Sequence, residues 1–275
     1  MSDTLKNRGI EAFLWLFVLV LFSPLLFIAV NSLKGFGEVM MDPIALPSKL
    51  EFANYTETWQ MSEYHKVFFN TILFAGISTL IVITITSMAG YKLSRMNSRG
   101  SQVLLLLFTI AIMLPFPVVM IPIAQVAAWL DLKNNLLLIS MLNAGFSCSL
   151  GVLLYSSAVK AIPKELDECA EMDGCYGYRM FFQIIFPLLK PVTGTLVVIY
   201  VIRYWNDLML PLILITKQSL YTIPLSQMIF FNQFSNNRWN LLLASGVMAV
   251  LPLIILYIFT QRYIIQGIVA GAVKG

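Results

Sequence analysis

Six stretches of this chain stay apolar for about twenty residues or more, at 10–30, 67–89, 103–128, 136–159, 191–215 and 241–263. A hydrocarbon layer about 30 Å thick is crossed by a helix of about 20 apolar residues, and in lipid every backbone N–H and C=O must be satisfied inside its own segment. The pattern therefore predicts an all-α membrane protein with six transmembrane helices. Composition agrees: the chain is 59% hydrophobic and 12% charged, against about 45–50% and about 25% in a soluble domain. The first stretch is longer than a signal-peptide core of about 7–15 residues and lacks an A-x-A cleavage site, so it reads as a retained span. Pro115, Pro117 and Pro122 in the third stretch and Pro211 in the fifth predict kinks or partial unwinding there.

Orientation follows from the basic residues between spans. With a cytoplasmic N-terminus, the inside carries Lys6, Arg8, Lys92, Arg95, Arg99, Lys160, Lys164, Arg179, Lys190, Arg262 and Lys274, eleven residues. The outside carries six: Lys34, Lys49, Lys66, Lys133, Lys217 and Arg238. Both termini are thus expected in the cytoplasm. The long external segment 31–66 contains Tyr55, Trp59 and Tyr64, a composition that fits a segment lying along the membrane surface.

The connection between the fourth and fifth spans, 160–190, is too long for a simple turn, since helix–helix connections in bundles run about 2–8 residues. Pro163 suits a first helical position, and Glu165, Asp167 and Glu168 fall in the first turn, where the helix dipole favours negative charge. A short helix is therefore predicted from Pro163, with Leu166, Cys169, Ala170 and Asp173 recurring at helical spacing. Gly174 then permits a turn, and a second short helix is expected from Tyr178 to Phe186, stopped by Pro187. The acids Glu165, Asp167, Glu168, Glu171 and Asp173 fit either a docking face or a solvated one.

These residues resemble a known family. Glu168-Cys169-Ala170, then Gly174, then Ile184, Phe186 and Pro187 match the spacing of the EAA loop of binding-protein-dependent ABC importer permeases. Cys169 stands where alanine is usual, and Phe186 where leucine is usual. The flanks Ile162-Pro163-Lys164-Glu165-Leu166 and Asp173-Gly174 are similar to the sugar-importing branch. Trp205-Asn206-Asp207 with Pro211, and the C-terminal residues 261–275, resemble carbohydrate permeases related to the smaller maltose-importer subunit.

The resemblance implies a type I ABC importer permease fold with a cytoplasmic coupling helix. It implies a first span with external loop in residues 1–65, and a transmembrane permease domain in 66–275 with the coupling loop and a cytoplasmic tail. Glu168, Cys169, Ala170, Asp173, Gly174, Ile184 and Pro187 would form the contact with an ATPase. Implied partners are a homologous permease, a dimer of ABC ATPase subunits, an extracytoplasmic solute-binding protein, a sugar and membrane lipid, with no nucleic acid. A polyol or glycerol phosphate permease is the nearest alternative, and an ion-coupled secondary transporter a more distant one.

Candidate pathway residues lie in the fourth and fifth spans. Arg203 and Asp207 are ionisable inside a span, where such groups are costly and tend to be functional, and their i,i+4 spacing allows them to pair. That pair could serve the passage or only fix packing. Asn206 accompanies them, and Trp205 could stack on a sugar or pack internally. Asn143, Ser147 and Ser149 place an amide and hydroxyls on the fourth span. The small pairs Gly145/Ser149 and Ser147/Gly151 equally fit close helix approach. The polar external run 232–240 suits contact with a binding protein or plain solvation.

No G-x-x-x-x-G-K-[ST] sequence occurs, so the chain is expected to bind no ATP or magnesium itself; both would sit on the partner ATPase. His65 is the only histidine, and Cys148, Cys169 and Cys175 lack metal-ligand spacing. Neither a catalytic residue nor a metal site is expected.

Overall fold

The computed structural model describes residues 2–96, 98–231 and 237–272. Its helices are α1 (Ser2–Ser32), α2 (Phe36–Met41), α3 (Ala53–Met61), α4 (Tyr64–Arg95), α5 (Arg99–Ile112), α6 (Phe116–Trp129) and α7 (Leu136–Lys160). There follow α8 (Glu165–Met172), α9 (Gly177–Met180), a π-helical turn (Phe181–Ile185), α10 (Phe186–Leu188), α11 (Lys190–Trp205), α12 (Met209–Leu214), α13 (Ile223–Ser226) and α14 (Trp239–Ala272). No strand occurs among the described residues.

Among the described residues, four helices are long and apolar enough to cross a membrane unaided, with spans at Phe13–Ser32, Tyr64–Arg95, Leu136–Lys160 and Trp239–Phe259. Two bent pairs, α5 with α6 and the run Gly177–Leu188 with α11, raise the number to six when each pair is counted as one broken span.

The third apolar stretch is therefore not one helix. It breaks at Met113-Leu114-Pro115, and α6 leaves α5 at 103°. The cause is local. Pro115 has no N–H and disfavours helical backbone at Leu114, while Pro117 sits in the first turn of α6, where its fixed φ is tolerated. Each half has 14 residues, about 21 Å of helix. The fifth stretch is interrupted too, as expected of a proline-bearing span, but ahead of Pro211: α11 ends at Trp205, and α12 restarts after Asn206, Asp207 and Leu208.

The chain packs as two units. One comprises Met1–His65 with Gln227–Ile254, and the other Lys66–Ser226 with Ile255–Gly275. In the first, every side chain from 13 to 27 of α1, all but Ser23 and Pro24 apolar or aromatic, is exposed, as a helix facing lipid requires. The segment 31–66 is held by its own polar contacts. Asn54 donates to the carbonyls of Ser32 and Lys34 at 2.8 and 2.9 Å, Lys34 Nζ donates to the Asp42 carbonyl at 3.0 Å, and the Ser32 and Tyr55 hydroxyls meet at 2.7 Å. Thr58 Oγ1 donates to the Leu241 carbonyl at 3.2 Å and Tyr64 Oη to the Met248 carbonyl at 2.8 Å.

The second unit is organised around α7. Ser78 Oγ donates to the Ser140 carbonyl at 3.2 Å, Thr86 faces Gly151, and Gly90 faces Tyr155 and Ser156. Residue numbers rise together along both helices, so α4 and α7 run parallel. The numbers run oppositely against α11: Tyr155 Oη donates to Thr193 Oγ1 at 2.9 Å, and Tyr200 Oη to the Ser147 carbonyl at 2.9 Å. Of the small residues, Gly151 is at a close approach, because an added Cβ would lie 2.5 Å from Thr86 Oγ1. Gly145 is not: nothing lies within 4 Å of an added Cβ.

A Cβ at Gly90 would stand 2.6 Å from Tyr155 Cβ and 2.9 Å from the Ser156 backbone nitrogen, neither of which can swing away. Gly90→Ala should thus destabilise the purified protein by about 1–3 kcal/mol, read as a lower thermal unfolding midpoint in detergent. Gly145→Ala should leave the midpoint unchanged or raise it.

Candidate functional site

The segment 160–190 folds as two short helices joined by a turn. α8 begins at Glu165 rather than Pro163, a shift within the usual uncertainty of helix ends, and the amide of Leu166 still bonds the Pro163 carbonyl at 3.4 Å. Its C-terminus is closed by the amides of Gly174 on Glu171 O, 3.0 Å, and Cys175 on Ala170 O, 2.8 Å. Gly174 has φ +74°, so this is the paired-bond cap in which a left-handed residue ends the helix. The glycine predicted at a turn is where the backbone requires one.

The second helix departs from expectation. Pro187 does not stop it; the run continues to Leu188 and bends by 81° into α11. Pro187 lacks an N–H, and its ring would press on the carbonyl of Gln183 four residues back. The π turn at Phe181–Ile185 widens the helix at that place, with the Phe186 amide bonded to the Phe181 carbonyl.

Of the predicted coupling residues, Glu168, Cys169, Asp173 and Gly174 are exposed, Ala170 is buried, and Ile184 and Pro187 are half-buried. The loop is seated through Ala170, Met180, Phe181, Ile185 and Leu189, all buried. Beneath α8 lies a recess of about 660 Å³ lined by Met88, Tyr91, Lys92, Arg95, Lys164, Asp167, Glu168, Glu171 and residues of α9.

Sequence reasoning missed the residues that hold α8. Arg95 Nε lies 2.5 Å from Asp167 Oδ2 with both side chains only 14% exposed. Arg95 also donates to the carbonyls of Ile162, 3.1 Å, and Pro163, 3.5 Å, and Tyr91 Oη donates to Asp167 Oδ1 at 3.4 Å. In the sequence Arg95 counted only toward orientation and Asp167 only as a first-turn acid. Their wide separation along the chain left no signal of pairing.

In the fourth and fifth spans the structure brings together Asn143 and Asp207, with Asn143 Nδ2 donating to Asp207 Oδ2 at 2.8 Å. Asp207 Oδ1 also accepts the Leu210 amide at 3.4 Å, capping α12. The expected Arg203–Asp207 pair does not form among the described residues; Arg203 is exposed. The reason is the end of α11 at Trp205, which removes the helical geometry that i,i+4 pairing needs. Asn206 is exposed and donates back to the Ile202 carbonyl at 2.8 Å. Trp205 is buried, its ring edge-on to Phe68 at 5.9 Å. Ser147 and Ser149 are buried on α7. Of the polar run 232–240, residues 232–236 lie outside the described residues, and Trp239 packs edge-on to Phe231 at 5.5 Å. Lys274 and the end of the C-terminal motif, 273–275, also lie outside them.

Asn143→Leu would leave a carboxylate oxygen of the half-buried Asp207 without its partner. This should cost about 1–3 kcal/mol, read as a drop in the unfolding midpoint, with Asn143→Gln less affected.

Residues 83–270 match the family model described as binding-protein-dependent transport system inner membrane component. Over 92% of this chain and 91% of the relative, the sequence is 39% identical to the "Probable starch degradation products transport system permease protein AmyC" of Thermoanaerobacterium thermosulfurigenes. It is 32% identical to the melibiose/raffinose/stachyose import permease protein MelC of Bacillus subtilis, over 92% of each chain. Among solved structures, a chain of a bacterial ABC transporter involved in the import of the acidic polysaccharide alginate superimposes with a TM-score of 0.79 at 19% identity, covering 96% of this chain and 98% of that one. The expected ABC importer permease fold is therefore the fold observed, and the chain belongs to the binding-protein-dependent transport system inner membrane components.

Proposed function

We propose that this chain is the membrane permease subunit of an ATP-driven, binding-protein-dependent sugar importer, and that α8 is the helix through which a separate ATPase drives it. The observation that carries this reading is the shape of the segment 160–190: a capped helix seated by Ala170 that leaves Glu168, Cys169 and Asp173 exposed. Such a helix is held firmly from one side and presented on the other.

Several things support sugar as the cargo. The relatives AmyC and MelC are named for starch degradation products and for melibiose, raffinose and stachyose, and a third, AraQ of Bacillus subtilis, 30% identical, for arabinooligosaccharides. The binding-protein partner is supported by the structure of the alginate transporter in complex with a pentasaccharide-bound periplasmic protein, which aligns with a TM-score of 0.64. In this reading a second, homologous permease completes the passage, and two ATPase subunits bind ATP and magnesium. Their closure shifts the spans between inward-facing and outward-facing states. The chain itself holds no cofactor. Glu168, Cys169, Ala170, Asp173, Gly174, Ile184 and Pro187 form the coupling element, and Asn143, Ser147, Ser149, Asp207 and their neighbours Arg203, Trp205 and Asn206 the pathway candidates. Both termini and α8 face the cytoplasm, by the excess of basic residues on that side.

Two measurements test this. In a Cys148→Ser/Cys175→Ser background, a membrane-impermeant maleimide should label the exposed Cys169 in inside-out vesicles and not in intact spheroplasts; the reverse would put α8 on the wrong side for an ATPase. In proteoliposomes holding the chain with its co-purifying subunits, oligosaccharide uptake should require ATP within and the binding protein outside. Glu168→Lys should cut uptake by about 30-fold or more, since breaking an interfacial charge contact costs about 2–5 kcal/mol, while insertion stays intact. Uptake driven by an ion gradient with no ATP would favour a secondary transporter instead.

A further inference from the structure

The contacts made by the last turn of α4 are not explained by the docking role of α8. Arg95 turns all three guanidinium nitrogens to the 160–190 segment: the two terminal nitrogens hydrogen-bond the carbonyls of Ile162 and Pro163, while Nε stands in ion-pair contact with Asp167 without hydrogen-bond geometry. Those carbonyls belong to the lead-in between α7 and α8, so one side chain holds both the helix and its entry. A planar fork with fixed donor directions is suited to such multiple bonding, where the point charge of a lysine is not. Tyr91, one turn earlier on the same face, donates to the other Asp167 oxygen, and its ring lies 5.6 Å from that of Phe181 in the second helix of the loop.

Asp167 is also the acid that turns inward. Glu165, Glu168, Glu171 and Asp173 are exposed, whereas Asp167 is covered and paired. Asp167 is thus the acid of α8 that is tied down, while Glu168 and Glu171 stay exposed along the rim of the same recess. About one and a half and two and a half turns before Arg95, Gly90 and Thr86 pack directly against α7. A rigid route therefore runs from α8 through Arg95 into α4, and from α4 into α7.

We propose that Arg95 and Asp167 are positioning residues forming a latch, through which displacement of α8 is carried into the membrane helices. Tyr91 keeps the Asp167 carboxylate aimed at the guanidinium. The latch touches neither sugar nor nucleotide; it sets how much of the motion of α8 reaches the spans. This inference rests on α8 being the coupling helix.

The test compares Arg95→Glu, Asp167→Arg and the double exchange Arg95→Glu/Asp167→Arg in the complete transporter, reconstituted with its ATPase, second permease and binding protein. Uptake and ATP hydrolysis are measured in the same vesicles. Each single variant should co-purify with the ATPase and still hydrolyse ATP, but sugar moved per ATP should fall by about tenfold, the scale of coupling between residues in direct contact. The double variant should recover most of that ratio, and Arg95→Lys should fall between wild type and Arg95→Glu. A wild-type ratio in the single variants would overturn the latch. So would uptake and hydrolysis falling together without recovery in the double variant, or loss of insertion in every variant, since both mark a merely structural clasp. A wild-type transporter that moves sugar without ATP would instead sink the permease reading, an outcome separate from any of these.

Discussion

The close parallel packing of α4 on α7 is the contact on which the second unit depends. It is made by absence of side chain: Gly90 lets Tyr155 and the Ser156 backbone approach, and Gly151 accepts Thr86 and the Tyr200 hydroxyl. In lipid no hydrophobic force drives helices together, so dispersion contacts between backbones and small residues must do so. Because the two helices run in the same direction, their C-terminal ends emerge side by side. That places Arg95 against Ile162, Pro163 and Asp167. The seating of α8 is a consequence of the seam, reached through one arginine.

The breaks in the helices matter as much as the helices. A continuous fifth span would have set Asp207 one turn from Arg203 on the same helix face, with its carboxylate facing that guanidinium. Ending α11 at Trp205 instead lets Asp207 accept from Asn143 and cap α12, so the break exchanges a partner on its own helix for partners on two others. The same logic holds at Asn134, in the loop before α7, whose side-chain oxygen accepts the amides of Thr216 and Lys217 at 2.8 and 2.9 Å and so ties the end of α12 to that loop. Irregular backbone persists in this unit where a polar side chain takes up what it frees.

Much of the site could be read beforehand because its determinants are local. Gly174 was legible since a helix followed by a reversal demands a positive φ, and the apolar or acidic positions of α8 repeat at helical spacing. The π turn was not legible. It arises because Pro187 follows a helical run that tertiary packing of Phe181 and Ile185 keeps in place, where proline alone would predict a stop. Likewise Arg203 and Asp207 had the spacing of a pair, and only the position of the helix end decided against it.

The amino-acid sequence by itself determined the solvent, the number of apolar stretches and the presence of a helix, turn and helix after the fourth of them. Each of these is a property of a window no longer than a span, set by transfer of side chains into lipid and by backbone stereochemistry. Only the tertiary structure decided which acid of α8 turns inward, that the third stretch folds back at 103°, and that Asn143 rather than Arg203 meets Asp207. Those outcomes depend on which helices lie side by side. Partners so far apart in the chain are chosen by close packing, which no local pattern records.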